Sequence, residues 1–172
     1  MMREKLKNIQ LLLLDVDGVL TDGRIIYDAN GVEIKCFNVK DGHGIKLLQR
    51  YGIRVGIITA RISAVVDIRA RELGIDLIYQ GALKKLDSYE DAKQKTELED
   101  HQIAYIGDDL IDVPIMRRVG FSAAPSDSLP EVLETVDFVS AHQGGKGAVR
   151  EVCDLILKGR GLWDQVKVRY EL

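Results

Sequence analysis

The stretch that decides the fold is Leu11-Leu12-Leu13-Leu14-Asp15-Val16-Asp17-Gly18-Val19-Leu20-Thr21-Asp22-Gly23. Consecutive leucines without polar alternation read as a strand covered on both faces, the kind found inside a parallel sheet. Two acids follow at once. Alternation along an extended backbone aims Asp15 and Asp17 to the same side, and open parallel sheets bind ligands just beyond the carboxyl ends of their strands. Two carboxylates in that position call for a proton or for a hard divalent cation with oxygen ligands. A solvated acidic turn is the plainer reading of this segment taken alone.

Outward from this strand the apolar pattern alternates between short aliphatic runs and segments of helical period, an α/β rhythm. The runs predict strands at Gln10–Val16, Arg54–Thr59, Asp76–Tyr79, Gln102–Gly107 and Gly120–Ala123, with Phe138–Ser140 as a further candidate. Helices are predicted at about Gly42–Tyr51, Ser63–Leu73, Ser88–Leu98, Asp112–Val119, Leu129–Val136 and Gly147–Leu157. One insertion breaks the rhythm. Arg24–Tyr27 and Val32–Phe37 flank Asp28-Ala29-Asn30-Gly31, a turn-rich tetrapeptide that predicts a projecting β-hairpin over residues 24–37. Residues 159–172 show no clear period and are predicted to be an extended or mobile tail. The expectation is one domain over residues 1–172.

Composition narrows the function. Lys and Arg number 24 against 27 Asp and Glu, a formal charge of −3, without the basic excess of a generic nucleic-acid or anionic-membrane binder. No apolar run reaches the ~18–20 residues of a membrane span, and the N-terminal segment shows no small-residue cleavage site, so a cytoplasmic protein is expected. Cys36 and Cys153 sit in neither Cys-x-x-Cys nor metal-type His spacing and are expected as free thiols. His43, His101 and His142 default to surface or capping roles, although His43, between Gly42 and Gly44, stands where it can border a cleft.

Three more strand ends carry chemical groups. In IAYIGDDLID (103–112) an aliphatic run leads to Asp108, Asp109 and Asp112; an N-cap cluster accounts for one acid easily and for three less well. In VGIITAR (55–61) Thr59 and Arg61 suit phosphate oxygens or a carboxylate, or a capped helix with a surface Arg. In YQGALKK (79–85) Lys84 and Lys85 follow the third strand, and a lone lysine pair carries little weight.

The order Asp-x-Asp, Thr, Lys, Gly-Asp-Asp-x-x-Asp resembles the haloacid dehalogenase superfamily of phosphohydrolases, matching DVDGV (15–19), IIT (57–59), Lys85 and GDDLID (107–112). The resemblance covers nearly the whole chain and implies a Rossmann-like fold, a central parallel sheet flanked by helices. It implies that Asp15 is a nucleophile forming an aspartyl-phosphate and Asp17 a general acid/base. Mg²⁺ would be held by Asp15, the Asp17 backbone carbonyl and Asp108, with Asp109 and Asp112 orienting metal-bound water or Lys85. Thr59 and Lys85 would stabilise the phosphoryl oxygens.

Residues 19–48, the Arg of TAR and GGKGAVREVCDLIL (144–157) resemble the small phosphatases without a cap domain that act on 3-deoxy-D-manno-octulosonate 8-phosphate. Related enzymes act on nine-carbon sialic-type sugar phosphates, and a phospho-acceptor receiver domain is the rival from another class. Arg61 suits the carboxylate of a sugar acid, and Lys146 is a candidate substrate or interface residue. This family usually has Thr-Gly-Arg where the chain has Thr59-Ala60-Arg61, so a left-handed backbone there would strain Ala60. The resemblance also implies a homotetramer whose hairpins assemble, with the 159–172 tail reaching a neighbouring cleft.

Overall fold

The computed structural model describes residues 2–172. Six strands form one sheet: β1 (Leu11–Leu14), β4 (Arg54–Ile58), β5 (Leu77–Tyr79), β6 (Ile103–Ile106), β7 (Phe121–Ala124) and β8 (Phe138–Val139). They lie in the order β5-β4-β1-β6-β7-β8, and every pairing is parallel. Leu11 of β1 is level with Arg54 on one side and Ile103 on the other.

The four leucines of β1 divide strictly by parity. Leu12 and Leu14 join the core that contains Val66 and Leu73 of α3 (Ala64–Leu73), Val152 and Ile156 of α7 (Ala148–Gly159), and Leu47 and Leu48 of α2 (Val39–Arg50). Leu11 and Leu13 join a second core with Tyr89 and Ala92 of α4 (Lys85–Thr96) and Ile115 and Met116 of α5 (Val113–Met116). Helices therefore cover both faces, which is why this strand tolerates no polar residue. Each such side chain contributes roughly 1.5–3 kcal/mol through burial.

The chain runs from β1 outward through β4 to β5, then returns to β6 on the opposite side of β1. The carboxyl ends of β1 and β6 thus flank the point where the winding reverses, and Asp15 and Asp108 follow those ends. A second, two-stranded sheet pairs β2 (Ile26–Tyr27) with β3 (Glu33–Ile34) in antiparallel register, Tyr27 opposite Glu33. Its turn is organised by Asp28, whose Oδ1 accepts the N–H groups of Asn30 (2.9 Å) and Val32 (2.8 Å).

Several predicted boundaries shift. Helix α4 begins at Lys85 rather than Ser88, which puts Lys85 in its first turn. The predicted helix over 112–119 resolves into a 3₁₀ turn at Leu110–Asp112 followed by α5. The 129–136 helix contracts to α6 (Pro130–Leu133). The largest correction concerns the tail, which is neither extended nor irregular: α8 (Trp163–Arg169) buries Val166 against the first core. A short α1 (Met2–Lys7) buries Leu6 in the same core. Neither helix is long enough to display an apolar period.

Both cysteines are free, Cys36 exposed and Cys153 buried. Among the described residues no helix is long and apolar enough to cross a membrane.

Candidate active site

Local backbone geometry sets the first acid. The Asp15 N–H donates to the Ile106 carbonyl (3.0 Å), which extends the β1–β6 ladder by one residue. The Asp15 side chain, 6% exposed, accepts the Val16 N–H on Oδ1 (2.7 Å) and faces Lys85 Nζ with Oδ2 (2.6 Å). Gly18 then turns with φ +82, and a Cβ placed on it would stand 2.0 Å from Asp108 Oδ2. Only glycine lets the loop after β1 press against the acid after β6.

Lys85 is held on both sides. Its ammonium lies 2.6 Å from Asp15 Oδ2 and 2.6 Å from Asp112 Oδ1, with the side chain 1% exposed. Burial pulls the Lys85 ammonium towards neutrality, but Asp15 and Asp112 together outweigh it and leave its pKa above the usual lysine value. Asp112 is fully buried. Its Oδ1 also accepts the Tyr105 hydroxyl (2.6 Å), while Oδ2 accepts the N–H groups of Asp108 (3.0 Å) and Asp109 (3.2 Å).

The two acids that face the opening are in a different condition. Burial, then repulsion from Asp112, pushes Asp15 up to about 6 against the pull of Lys85. Burial, then Asp15 and Asp112, pushes Asp108 up to about 8. Asp108 Oδ1 is shut off from water and has no hydrogen-bond partner among the described residues. A buried carboxylate oxygen without a donor, beside a second strained carboxylate, is what a divalent cation with oxygen ligands relieves.

Asp15, Asp108 and Asp112 each bring an oxygen within 4.8 Å of the others. Each Asp112 oxygen already accepts from two donors, whereas each Asp15 oxygen meets one and Asp108 Oδ1 none among the described residues, so Asp15 and Asp108 keep lone pairs for a metal and Asp112 fixes their surroundings. Asp109 is exposed, and its side chain accepts the Leu110 N–H (2.6 Å).

Asp15, Asp17, Thr59, Ala60, Arg61, Lys85, Asp108 and Asp109 line one cleft of about 250 Å³. Thr59 ends the β4 ladder, its N–H donating to the Tyr79 carbonyl (2.9 Å), and is 2% exposed. Outside glycine, positive φ occurs among the described residues only at Glu97 and Glu171, so Ala60 carries no left-handed strain. Lys146 does not line this cleft; it borders a separate groove with Lys40, His142 and Arg150. His43 also lies elsewhere, 3.2 Å from the Tyr170 hydroxyl.

Two residues absent from the sequence reading enter the site from β3 and the segment after it. Lys35 Nζ donates to Asp17 Oδ1 (2.5 Å), and Glu33 Oε1 accepts from Arg61 Nη2 (3.0 Å). The signal was an opposite-charge pair at i, i+2, which shares one face of an extended hairpin strand.

The family follows from this geometry and from comparison. Residues 57–152 match the haloacid dehalogenase-like hydrolase family, and the chain belongs to that family. Within it, the chain is 47% identical over 163 residues to the 3-deoxy-D-manno-octulosonate 8-phosphate phosphatase KdsC of Escherichia coli K12, covering 95% of this chain and 87% of that protein. It superposes with a TM-score of 0.96 on the corresponding phosphatase of Moraxella catarrhalis, solved with magnesium, phosphate and KDO, at 43% identity over 98% of this chain and 97% of that one. The Yersinia pestis phosphatase gives a TM-score of 0.93 at 45% identity, covering 95% and 88%.

Proposed function

We propose that the protein is a Mg²⁺-dependent phosphomonoesterase that hydrolyses 3-deoxy-D-manno-octulosonate 8-phosphate to the free sugar acid and phosphate. The observation that carries this reading is the pair of strained carboxylates, Asp15 and Asp108, beside a lysine clamped by Asp15 and Asp112. The similar Escherichia coli and Moraxella catarrhalis enzymes carry that activity in their names, and the latter binds magnesium, phosphate and the sugar acid. The nonulosonate-phosphatase and receiver readings are not favoured.

In this mechanism an Asp15 carboxylate oxygen attacks phosphorus, and the bond from phosphorus to the sugar oxygen breaks. Asp17 gives its proton to that leaving oxygen. Asp17 then takes a proton from water as the water attacks the aspartyl-phosphate, releasing phosphate and restoring Asp15. Lys85 and Thr59 stabilise the phosphoryl oxygens, where charge spreads. Mg²⁺, with Asp15, the Asp17 backbone carbonyl and Asp108 as its ligands, supplies the positive charge that lets an anionic nucleophile approach an anionic phosphate. Asp112 keeps Lys85 and the Asp108 and Asp109 backbone in place.

We read the enzyme as one cytoplasmic catalytic domain that works as a homotetramer. Ile25, Tyr27, Val32 and Ile34 are 57%, 56%, 58% and 44% exposed on the hairpin, an apolar patch suited to self-association. At about 250 Å³ the cleft is also smaller than typical ligand pockets of ~300–1,000 Å³, which fits walls added by other copies.

Phosphate release from octulosonate 8-phosphate with Mg²⁺ tests the activity. Asp15→Asn should abolish turnover with the fold intact by circular dichroism; unchanged turnover would overturn the nucleophile assignment. Sedimentation tests the tetramer, which a Val32→Glu substitution should dissociate.

A further inference from the structure

The glycine-rich loop Gly144-Gly145-Lys146-Gly147 carries Lys146 away from the cleft, yet its first two residues press on the loop after β1. A Cβ built on Gly144 would stand 1.9 Å from the Gly18 carbonyl oxygen and 2.9 Å from that of Thr21, so only glycine permits this approach. The Gly145 N–H donates to the Val19 carbonyl (2.9 Å). The loop they press on is one compact turn, because the Val16 carbonyl accepts the N–H groups of Val19 (3.2 Å), Leu20 (2.9 Å) and Thr21 (3.1 Å). A displacement of Gly144 is therefore passed on to the Asp17–Gly18 peptide.

Asn38, Asp41 and Asp127 pin this glycine-rich loop. Asn38 Nδ2 donates to the Gly145 carbonyl (3.3 Å) and Asp41 Oδ2 accepts the Gly147 N–H (3.3 Å), but both residues also cap helices, α2 and α7. Asp127 has no such duty. It is exposed, belongs to no helix or strand and does not line the cleft. Its Oδ1 accepts the N–H of the buried Gly144 (2.9 Å), the one hydrogen bond of its side chain among the described residues. A buried amide needs such an acceptor, and here a surface carboxylate supplies it.

The segment that carries Asp127 also holds the second acidic loop. The Leu129 N–H donates to the Asp108 carbonyl (3.1 Å), and the Ser126 N–H donates to the His142 carbonyl (3.0 Å). Ser128 Oγ closes the segment on itself by donating to the Pro125 carbonyl (2.8 Å). Residues 126–129 thus grip the loop after β6 directly and the loop after β1 through Gly144. These are the loops that bring Asp108 and Asp17 to the cleft.

Resting on the metal reading above, we infer that Asp127 is a positioning residue for the reaction. Through Gly144 it fixes the Asp17–Gly18 peptide against Asp108, and with it the spacing of the groups that would take up Mg²⁺. It touches neither substrate nor metal. Its influence is large because Mg²⁺ demands near-ideal ligand geometry, and because a shift of about 1 Å caused far from the chemistry can cost ~10²-fold in rate.

The test compares wild type, Asp127→Ala and Asp127→Asn as full chains with Mg²⁺. Asp127→Ala should lower kcat for octulosonate 8-phosphate about tenfold with KM little changed, and weaken Mg²⁺ binding about tenfold by calorimetry. Its melting temperature should fall by no more than about 4 °C, the share of one hydrogen bond. Asp127→Asn keeps an acceptor oxygen without the charge and should recover most of both losses. The Gly144 amide should exchange with solvent at least about tenfold faster in Asp127→Ala. Wild-type kcat and Mg²⁺ affinity in Asp127→Ala would overturn the proposal, as would an unchanged Gly144 exchange rate or equal damage in Asp127→Asn. Failure of the substrate reading looks different: the wild type would then leave octulosonate 8-phosphate uncleaved, while the Mg²⁺ affinities of the three proteins would still fall in the expected order.

Discussion

Binding of Mg²⁺ should expel about one proton at neutral pH. Asp108 is pushed up to about 8 and Asp15 up to about 6 in the metal-free protein. At pH 7 a group titrating at 8 is roughly 0.9 protonated and one titrating at 6 roughly 0.1, so coordination by both releases about one proton per ion. At pH 9 the same sum falls to roughly 0.1. Between these limits the affinity for Mg²⁺ should rise about tenfold per pH unit near neutrality.

The sign for stability is fixed by the same shift. A carboxyl whose folded pKa lies above its unfolded value makes the metal-free fold lose stability as pH rises from about 4 to about 8. Mg²⁺ should therefore raise the melting temperature more at pH 8 than at pH 6. The assay is titration calorimetry at pH 7 in two buffers of different ionisation enthalpy, whose difference reports the protons released. Asp108→Asn should cut the release to roughly 0.1 and weaken binding. Fewer than about 0.2 protons for the wild type would refute the argument that burial and mutual repulsion keep Asp108 protonated.

Three further outcomes follow from the packing. Gly18→Ala drives a Cβ to within 2.0 Å of Asp108 Oδ2 at a φ of +82, so Mg²⁺ affinity and kcat should both collapse while the protein still folds, measured by calorimetry and circular dichroism. Tyr105→Phe removes one donor to Asp112; kcat should fall roughly tenfold, about 1.4 kcal/mol in the barrier, with KM little changed. Asp41, buried in α2, accepts the N–H groups of Gly147 (3.3 Å) and Arg150 (2.8 Å) and so caps α7. Asp41→Ala should cost about 1–2 kcal/mol, a drop of roughly 2–8 °C in melting temperature.

Where local chemistry decides the outcome, the fold was readable from the residues. Four leucines closed by Asp15 read as a strand buried on both faces, and they form the centre of the sheet. Thr59, Lys85 and Asp108 all read as strand-end groups, and all line one cleft. The start of α4 was not legible because Lys85-Leu86-Asp87 carries no apolar period; tertiary ion pairing, not propensity, places Lys85 there. The α8 helix was hidden for a related reason, since within it only Val166 is buried in the core and Trp163 packs at its edge. Lys35 stayed silent because its partner Asp17 is 18 residues away, beyond any local pattern. Lys146 read as a site residue from its glycine-rich loop alone, and the loop carries it to another groove.

The parity of the four leucines has a consequence for motion. Asp15 hangs from the strand whose hydrogen bonds are shielded by both cores, so its amide opens only with the whole domain and exchanges with solvent among the slowest in the chain. The residues that grip Arg61 and Asp17 sit on or next to strands of two residues each, which open easily. A stiff half that carries Asp15 thus adjoins a pliant half that carries Glu33 and Lys35. Substitutions in the hairpin should therefore shift Asp17 and Arg61 while leaving Asp15 unmoved.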